Sequence, residues 1–187
     1  MDLKEKIRVS LALHKRVKLA PGPVPASILI PLFQKNGACH ILFTKRAENL
    51  THHRGEISFP GGISQPEDVD SLQTALRETS EEVGIAPEEV DILGVLDDFL
   101  SIHNYLVTPY VGFVAAGHNL RINHDEIERI IEVPLSFLLT PGIFQIRDWT
   151  WQGRTFPLLF LAYGNDTIWG LTAAMLRQFL EIISPFV

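Results

Sequence analysis

The run Arg77-Glu78-Thr79-Ser80-Glu81-Glu82-Val83-Gly84-Ile85 constrains this chain more than any other stretch, because it places three carboxylates within reach of a single helical turn. At about 100° per residue, Glu78, Glu81 and Glu82 stand at i, i+3 and i+4 and share one sector of a helix. Like charges at those spacings cost an isolated helix about 0.2–0.5 kcal/mol per pair. A bound divalent cation or a nearby arginine would offset that repulsion, and Arg77 directly precedes the acids. Taken alone, the pair Glu81-Glu82 also suits a solvated helix face. Its surroundings favour a site. Gly84 reads as the helix stop, and Phe59-Pro60-Gly61-Gly62 upstream suits a tight turn or a close approach of backbone to ligand. The helix is expected over 69–83, with Leu72, Leu76 and Val83 toward the core.

Along the rest of the chain, residues 3–17 fit an amphipathic helix loosely, and Pro21, Gly22, Pro23 and Pro25 read as a linker. Apolar runs at 27–33 and 39–44 flank Gln34-Lys35-Asn36-Gly37, whose Asn-Gly predicts a hairpin. Further strands are expected at 92–100, 105–116 and 127–133, then a second hairpin of 144–151 with 155–162 around Gln152-Gly153, and a closing helix at 171–183. This order predicts an α+β fold, a mixed β-sheet with helices packed on its faces. The expected organisation is an N-terminal helix and linker over 1–24 and one domain over 25–187.

With 187 residues, 46% of them hydrophobic, the chain can bury one sizeable core. A formal net charge of -6 argues against nucleic-acid binding, which needs clustered Lys and Arg. The single cysteine, Cys39, has no internal disulfide partner, the N-terminus lacks a signal peptide's apolar core, and no apolar run is long enough to span a bilayer. A cytoplasmic protein without membrane attachment is the expectation. The sequence leaves a homodimer open.

Gly62, Asp68, Arg77, Glu78, Glu81, Glu82, Gly84 and Ile85 together resemble the Nudix box. Asp68 stands where the family has its first Glu, the segment from Asp68 to Arg77 is one residue longer than the common form, and Thr79 replaces an aliphatic residue. Leu42, Thr44, Arg46, Ala47, Gly55 and Phe59 to Gly62 are similar to the signature of the family's coenzyme A pyrophosphatases, in which the longer spacing also occurs. Phe43 replaces a Leu of that signature and Thr51 its second Arg. The motif from Ile168 to Ala173, with Trp169 as an apolar anchor and Gly170 at a strand-to-helix corner, resembles the C-terminal end of the same group.

The resemblance implies a Nudix-type α/β/α sandwich with the acidic face of the box helix turned to a cleft. It implies a metal-dependent pyrophosphohydrolase cutting coenzyme A or an acyl derivative, a small nucleoside diphosphate substrate. Mg2+ or Mn2+ would be held by Glu78 and Glu82, with Glu81 completing a second metal or orienting water. Arg77 would neutralise and position these acids. Arg46, Arg54, His52 and His53, with Gly61 and Gly62, are the candidates for substrate contact, because Arg offers a fork of donors matched to phosphate and Thr51 does not. For the general base the candidates are Glu126 and Glu128, ahead of Asp97, Asp98, His103 and His124, which are expected to be exposed loop residues. Two rivals remain, a hydrolase of another nucleoside diphosphate derivative and a non-catalytic nucleotide-binding module.

Overall fold

Asn36 and Gly37 both take positive φ, 51° and 78°, and this turn pairs strands β1 (Val24–Lys35) and β2 (Ala38–Arg46) in antiparallel register with Leu32 opposite Ile41. The computed structural model describes residues 1–20, 23–48, 55–115 and 120–187. After β2 come two short strands, β3 (Ile57–Ser58) on β2 and β4 (Gly61–Ile63) on β1. Strands β5 (Val90–Val95), β6 (Phe99–Leu100), β7 (Tyr105–Val114) and β8 (Ile127–Pro134) complete a mixed sheet in which β1 and β7 run parallel, with Ser27 opposite Thr108. A second, antiparallel sheet holds β9 (Gln145–Trp151), β10 (Arg154–Tyr163) and β11 (Asp166–Trp169), turning at Gln152-Gly153 as expected.

Helix α2 (Ser71–Val83) covers one face of the main sheet. On the other lie α1 (Leu3–Leu13), the single turn α3 (Leu135–Leu138), α4 (Gly170–Ile183) and the second sheet, packed over Ile30, Phe43, Ile131 and Phe179. Strand alternation divides the two sides: Ile41 and Phe43 join the larger core, while Leu42 joins Phe33, Val83 and Ile85 under α2. The expected α/β/α layering is therefore present.

Four expectations need correcting. Helix α2 starts at Ser71, capped by Asp70, and turns Thr74, Ala75 and Thr79 to the sheet instead of Leu72 and Leu76, which line a shallow outer groove with Val69 and Pro87. Small side chains let the helix lie close on β1 and β4, and the Thr79 hydroxyl is satisfied by the Ala75 carbonyl at 2.6 Å, so a polar residue fills an apolar site. The strand expected at 92–100 is broken, since Leu96 is buried and Asp97 and Asp98 turn inward. Those two aspartates are clamps, not exposed loop residues. Asp97 accepts from the Val17 amide, His14 and Gln178, and Asp98 from Arg16, the Leu19 amide and Thr108. They pin the chain that leaves α1, which ends at Leu13 and not at 17 and buries Ile7 completely, a contribution of about 1.5–3 kcal/mol.

Candidate active site

Arg77 organises the acidic turn. Its Nε and Nη2 form a fork on Asp68, both at 2.9 Å, Nη2 also reaches the Ile63 carbonyl at 3.2 Å, and Nη1 donates to Glu78 at 2.9 Å and Glu81 at 3.1 Å. A guanidinium has five N–H donors, so all are engaged and none is left for a substrate. Its contacts all go to Asp68, the Ile63 carbonyl and the two glutamates. Its hydrogen bonds hold the Asp68 carboxyl well below the usual carboxylate range, and Asp68 in turn raises Arg77 further.

The three glutamates do not share one environment. Glu81 is drawn outward onto Arg77 with its side chain 53% exposed, whereas Glu82 is 2% exposed. Glu82 accepts from the Gly61 amide at 3.3 Å and faces Arg46, whose Nη1 lies 3.8 Å away. Burial pushes its carboxyl from 4.5 up to about 8, against the pull of Arg46 and the Gly61 amide and with a further push from Glu78 and Glu126. Burial also raises Glu78, opposed by Arg77. Gly62 makes room for this arrangement, since a Cβ there would stand 2.4 Å from the Glu78 carboxyl carbon. Gly61 is equally confined, against the β1 backbone at Ser27 and Ile28. Both glycines thus pack around the acids.

The segment 121–126 docks on the C-terminal end of α2. Amides of Arg121 and Asn123 donate to the carbonyls of Val83 and Glu82, at 2.9 and 3.0 Å, satisfying helix-end acceptors that would otherwise lack partners. Gly84, with φ of 77°, permits this contact, because a side chain there would meet Arg121. The docking brings Glu126 close enough for its charge to act on both Glu78 and Glu82, with its Oε1 held by Asn123 at 3.2 Å. Glu128 is not brought there. Lys45 pairs with Arg129 and Arg46 with Ile127, so Glu128 is the extra residue of a bulge, and it binds Lys45 at 3.1 Å instead. His124 is exposed, and His52, His53 and Arg54, like Thr51, lie outside the described residues.

Among the described residues no three acidic, His or Cys side chains already converge into a cation cage, because Arg77 holds Glu78 and Glu81. The donor set nevertheless suits one. Burial and the charge of Glu126 push both Glu78 and Glu82 toward protonation, and a hard divalent cation held by their carboxylate oxygens would remove that conflict. The Nε of Arg46 is buried without a partner among the described residues, beside the same acids. Sequence reasoning missed the contact of Arg46 with Glu82 and the docking of Arg121 and Asn123, since both join segments far apart in the chain.

The profile of the NUDIX domain family matches residues 23–151. A Nudix hydrolase of Photorhabdus laumondii, named as the uncharacterized NudL, is 38% identical over 156 residues, covering 83% of each chain. The mouse protein named peroxisomal coenzyme A diphosphatase NUDT7 is also 38% identical, over 155 residues that cover 80% of this chain and 66% of that one. Among solved structures, the MutT protein of Methanosarcina mazei superposes with a TM-score of 0.55 at 18% identity, over 92% of this chain and 96% of that one, a likeness of fold. This chain belongs to the Nudix hydrolase family of pyrophosphohydrolases, and its relatives are consistent with the coenzyme A pyrophosphatase-like subgroup. Nudix hydrolases generally use divalent metal ions. No helix among the described residues is long and apolar enough to cross a membrane.

Proposed function

We propose that this chain hydrolyses the diphosphate linkage of coenzyme A or an acyl-coenzyme A, releasing adenosine 3',5'-bisphosphate and (acyl-)phosphopantetheine. The observation that carries this reading is the 38% identity to the mouse coenzyme A diphosphatase. The signature-like run from Leu42 to Gly62 supports it.

Mg2+ or Mn2+ is the cation assigned to the cluster, and when bound it neutralises charge building on the phosphoryl oxygens. Glu78 and Glu82 would supply its first oxygen ligands, with Glu81 completing the set or orienting water. Arg77 keeps the acids in place without touching substrate. Arg46, with an unpartnered Nε, donates to a phosphate. Arg54, His52 and His53 complete the phosphate contacts in this reading, on their place in the sequence. The oxygen of water adds to one phosphorus, the bridging P–O bond breaks toward the leaving phosphate, and Oε2 of Glu126 takes the proton while Asn123 holds Oε1. Glu128, bound to Lys45, has no part in this step. A cytoplasmic setting belongs to the same reading, with the lone Cys39 buried as a free thiol.

Initial rates on coenzyme A, acetyl-coenzyme A, NADH, diadenosine polyphosphates and a nucleotide sugar, with Mg2+ or Mn2+, test the proposal. The coenzyme A compounds should give the highest kcat/KM. Faster turnover of any other diphosphate would replace the assigned substrate, and no turnover of any would favour a binding module.

A further inference from the structure

We propose that Thr74 is a positioning residue of the acidic site, its hydroxyl fixing the Asp68 carboxylate, through it the Arg77 guanidinium, and through that the direction of Glu78. The inference rests on the metal-dependent reading above and adds a residue that the box pattern does not specify.

Thr74 is completely buried in the first turn of α2, and its Oγ1 lies 2.9 Å from Asp68 Oδ2, 3.0 Å from Ser64 Oγ and 3.4 Å from the Asp70 carbonyl. A threonine hydroxyl has one proton to give. The carboxylate, the strongest acceptor, takes it in the shortest of the three contacts, and the Ser64 oxygen stands beside it as a weaker, neutral acceptor of the same hydroxyl. Asp68 then receives four donors: Thr74, the Gln65 amide at 2.9 Å, and Nε and Nη2 of Arg77, both at 2.9 Å. The Arg77 fork requires the two planar groups to stay coplanar. A rotation of Asp68 would tilt the guanidinium and carry Nη1 away from Glu78 and Glu81.

The need for such a tie follows from the local sequence. Asp70, not Asp68, caps the helix, its Oδ1 accepting from the Gln73 amide at 2.8 Å, so Asp68 sits in the preceding loop. An aspartate is one methylene shorter than glutamate and has no helical backbone to hold it here. Thr74 joins this loop residue to the helix that carries the acids, and Ser64 joins the strand end of β4 to the same point.

The test is Mn2+ binding without substrate, read by the electron paramagnetic resonance of free Mn2+, for wild type, Thr74→Val, Thr74→Ser, Ser64→Ala and Glu82→Gln, with thermal unfolding in EDTA alongside. Valine keeps the shape and removes the hydroxyl. Thr74→Val should weaken Mn2+ binding about 10-fold, as loss of an outer-shell partner does. Ser64→Ala, which removes only a second acceptor of the Thr74 hydroxyl, and Thr74→Ser, which keeps the hydroxyl, should both stay within about 2-fold of wild type, below the loss typical of an outer partner. Wild-type affinity in Thr74→Val would overturn the inference, as would equal weakening in Thr74→Ser, which would assign the effect to the methyl group. If wild type bound no Mn2+, or bound it equally after Glu82→Gln, the metal reading and this inference would fall together. Wild-type binding that is lost in Glu82→Gln but untouched in Thr74→Val would remove this inference alone.

Discussion

Replacing Glu82 with Gln should make the metal-free protein more stable and the enzyme nearly inactive. Glu82 is 2% exposed, and burial lifts its carboxyl from 4.5 to about 8. An acid raised in this way binds more protons in the folded chain than in the unfolded one. The penalty is therefore absent below 4.5, grows as pH rises, and is complete above about 8. A displacement of that size corresponds to roughly 5 kcal/mol at most. Gln keeps the volume and an oxygen for the Gly61 amide now at 3.3 Å, gives up the attraction of Arg46 at 3.8 Å, and buries an amide that needs partners of its own. Taking about 1–3 kcal/mol for those losses leaves a net gain of about 2–4 kcal/mol at most in EDTA above the raised value, shrinking as pH falls and turning into a loss of about 1–3 kcal/mol below 4.5. Urea unfolding of both proteins across that range measures the difference directly. With Mg2+ present, hydrolysis should fall by more than about 100-fold, beyond the loss typical of an outer-shell change. A Glu82→Gln protein no more stable than wild type at the upper end of the range, with m-values unchanged, would refute the electrostatic reasoning.

Glu126→Gln should lower kcat by about 10²–10⁴-fold. Glu128→Gln should leave it within about 2-fold, because that residue is spent on Lys45, and the reverse order in steady-state rates would reassign the base. Gly62→Ala forces a methyl group into the Glu78 carboxyl, which the Cβ position would approach to 2.4 Å, so kcat/KM should drop by about 100-fold while calorimetry shows a smaller effect on folding. Asp98→Ala leaves the Arg16 guanidinium without its 2.6 Å partner and should cost roughly 2–3 kcal/mol, with faster tryptic cleavage at Arg16 and Lys18. Asp97 and Asp98 are both lowered, burial being outweighed by their hydrogen bonds, so their stabilisation is present above the ordinary value of 3.8 and is lost as pH falls through the folded values. The acid-unfolding midpoint of Asp98→Ala should therefore lie above that of wild type.

The box helix was legible because its signals are local: the acids at i, i+3 and i+4 and Gly84 as the stop. Which side of it faced the sheet was not. Apolar periodicity nominated Leu72 and Leu76, but the short distance to β1 and β4 selects Thr74, Ala75 and Thr79, and that distance is set by strands far away in sequence. Both hairpins followed from Asn36-Gly37 and Gln152-Gly153, whereas the parallel pairing of β1 with β7 leaves no local mark. Within the candidate site, the nearness of Arg77 to Glu78 and Glu81 could be read from spacing. The separation of Glu126 from Glu128 could not, because it depends on a bulge that interrupts the two-residue alternation of a strand. Asp97 and Asp98 looked like loop residues until the chain leaving α1 was seen to bring His14, Arg16 and two amides to them.

The most direct measurement is the phosphorus NMR spectrum of coenzyme A incubated with the protein and Mg2+ in ¹⁸O-labelled water, beside the Glu82→Gln protein. The diphosphate resonances should give way to phosphomonoester signals, one product carrying a single ¹⁸O shift, with the mutant sample essentially unchanged. Persistence of the diphosphate with wild type, or equal conversion by both proteins, would contradict a phosphoanhydride hydrolase built on the acidic face of α2.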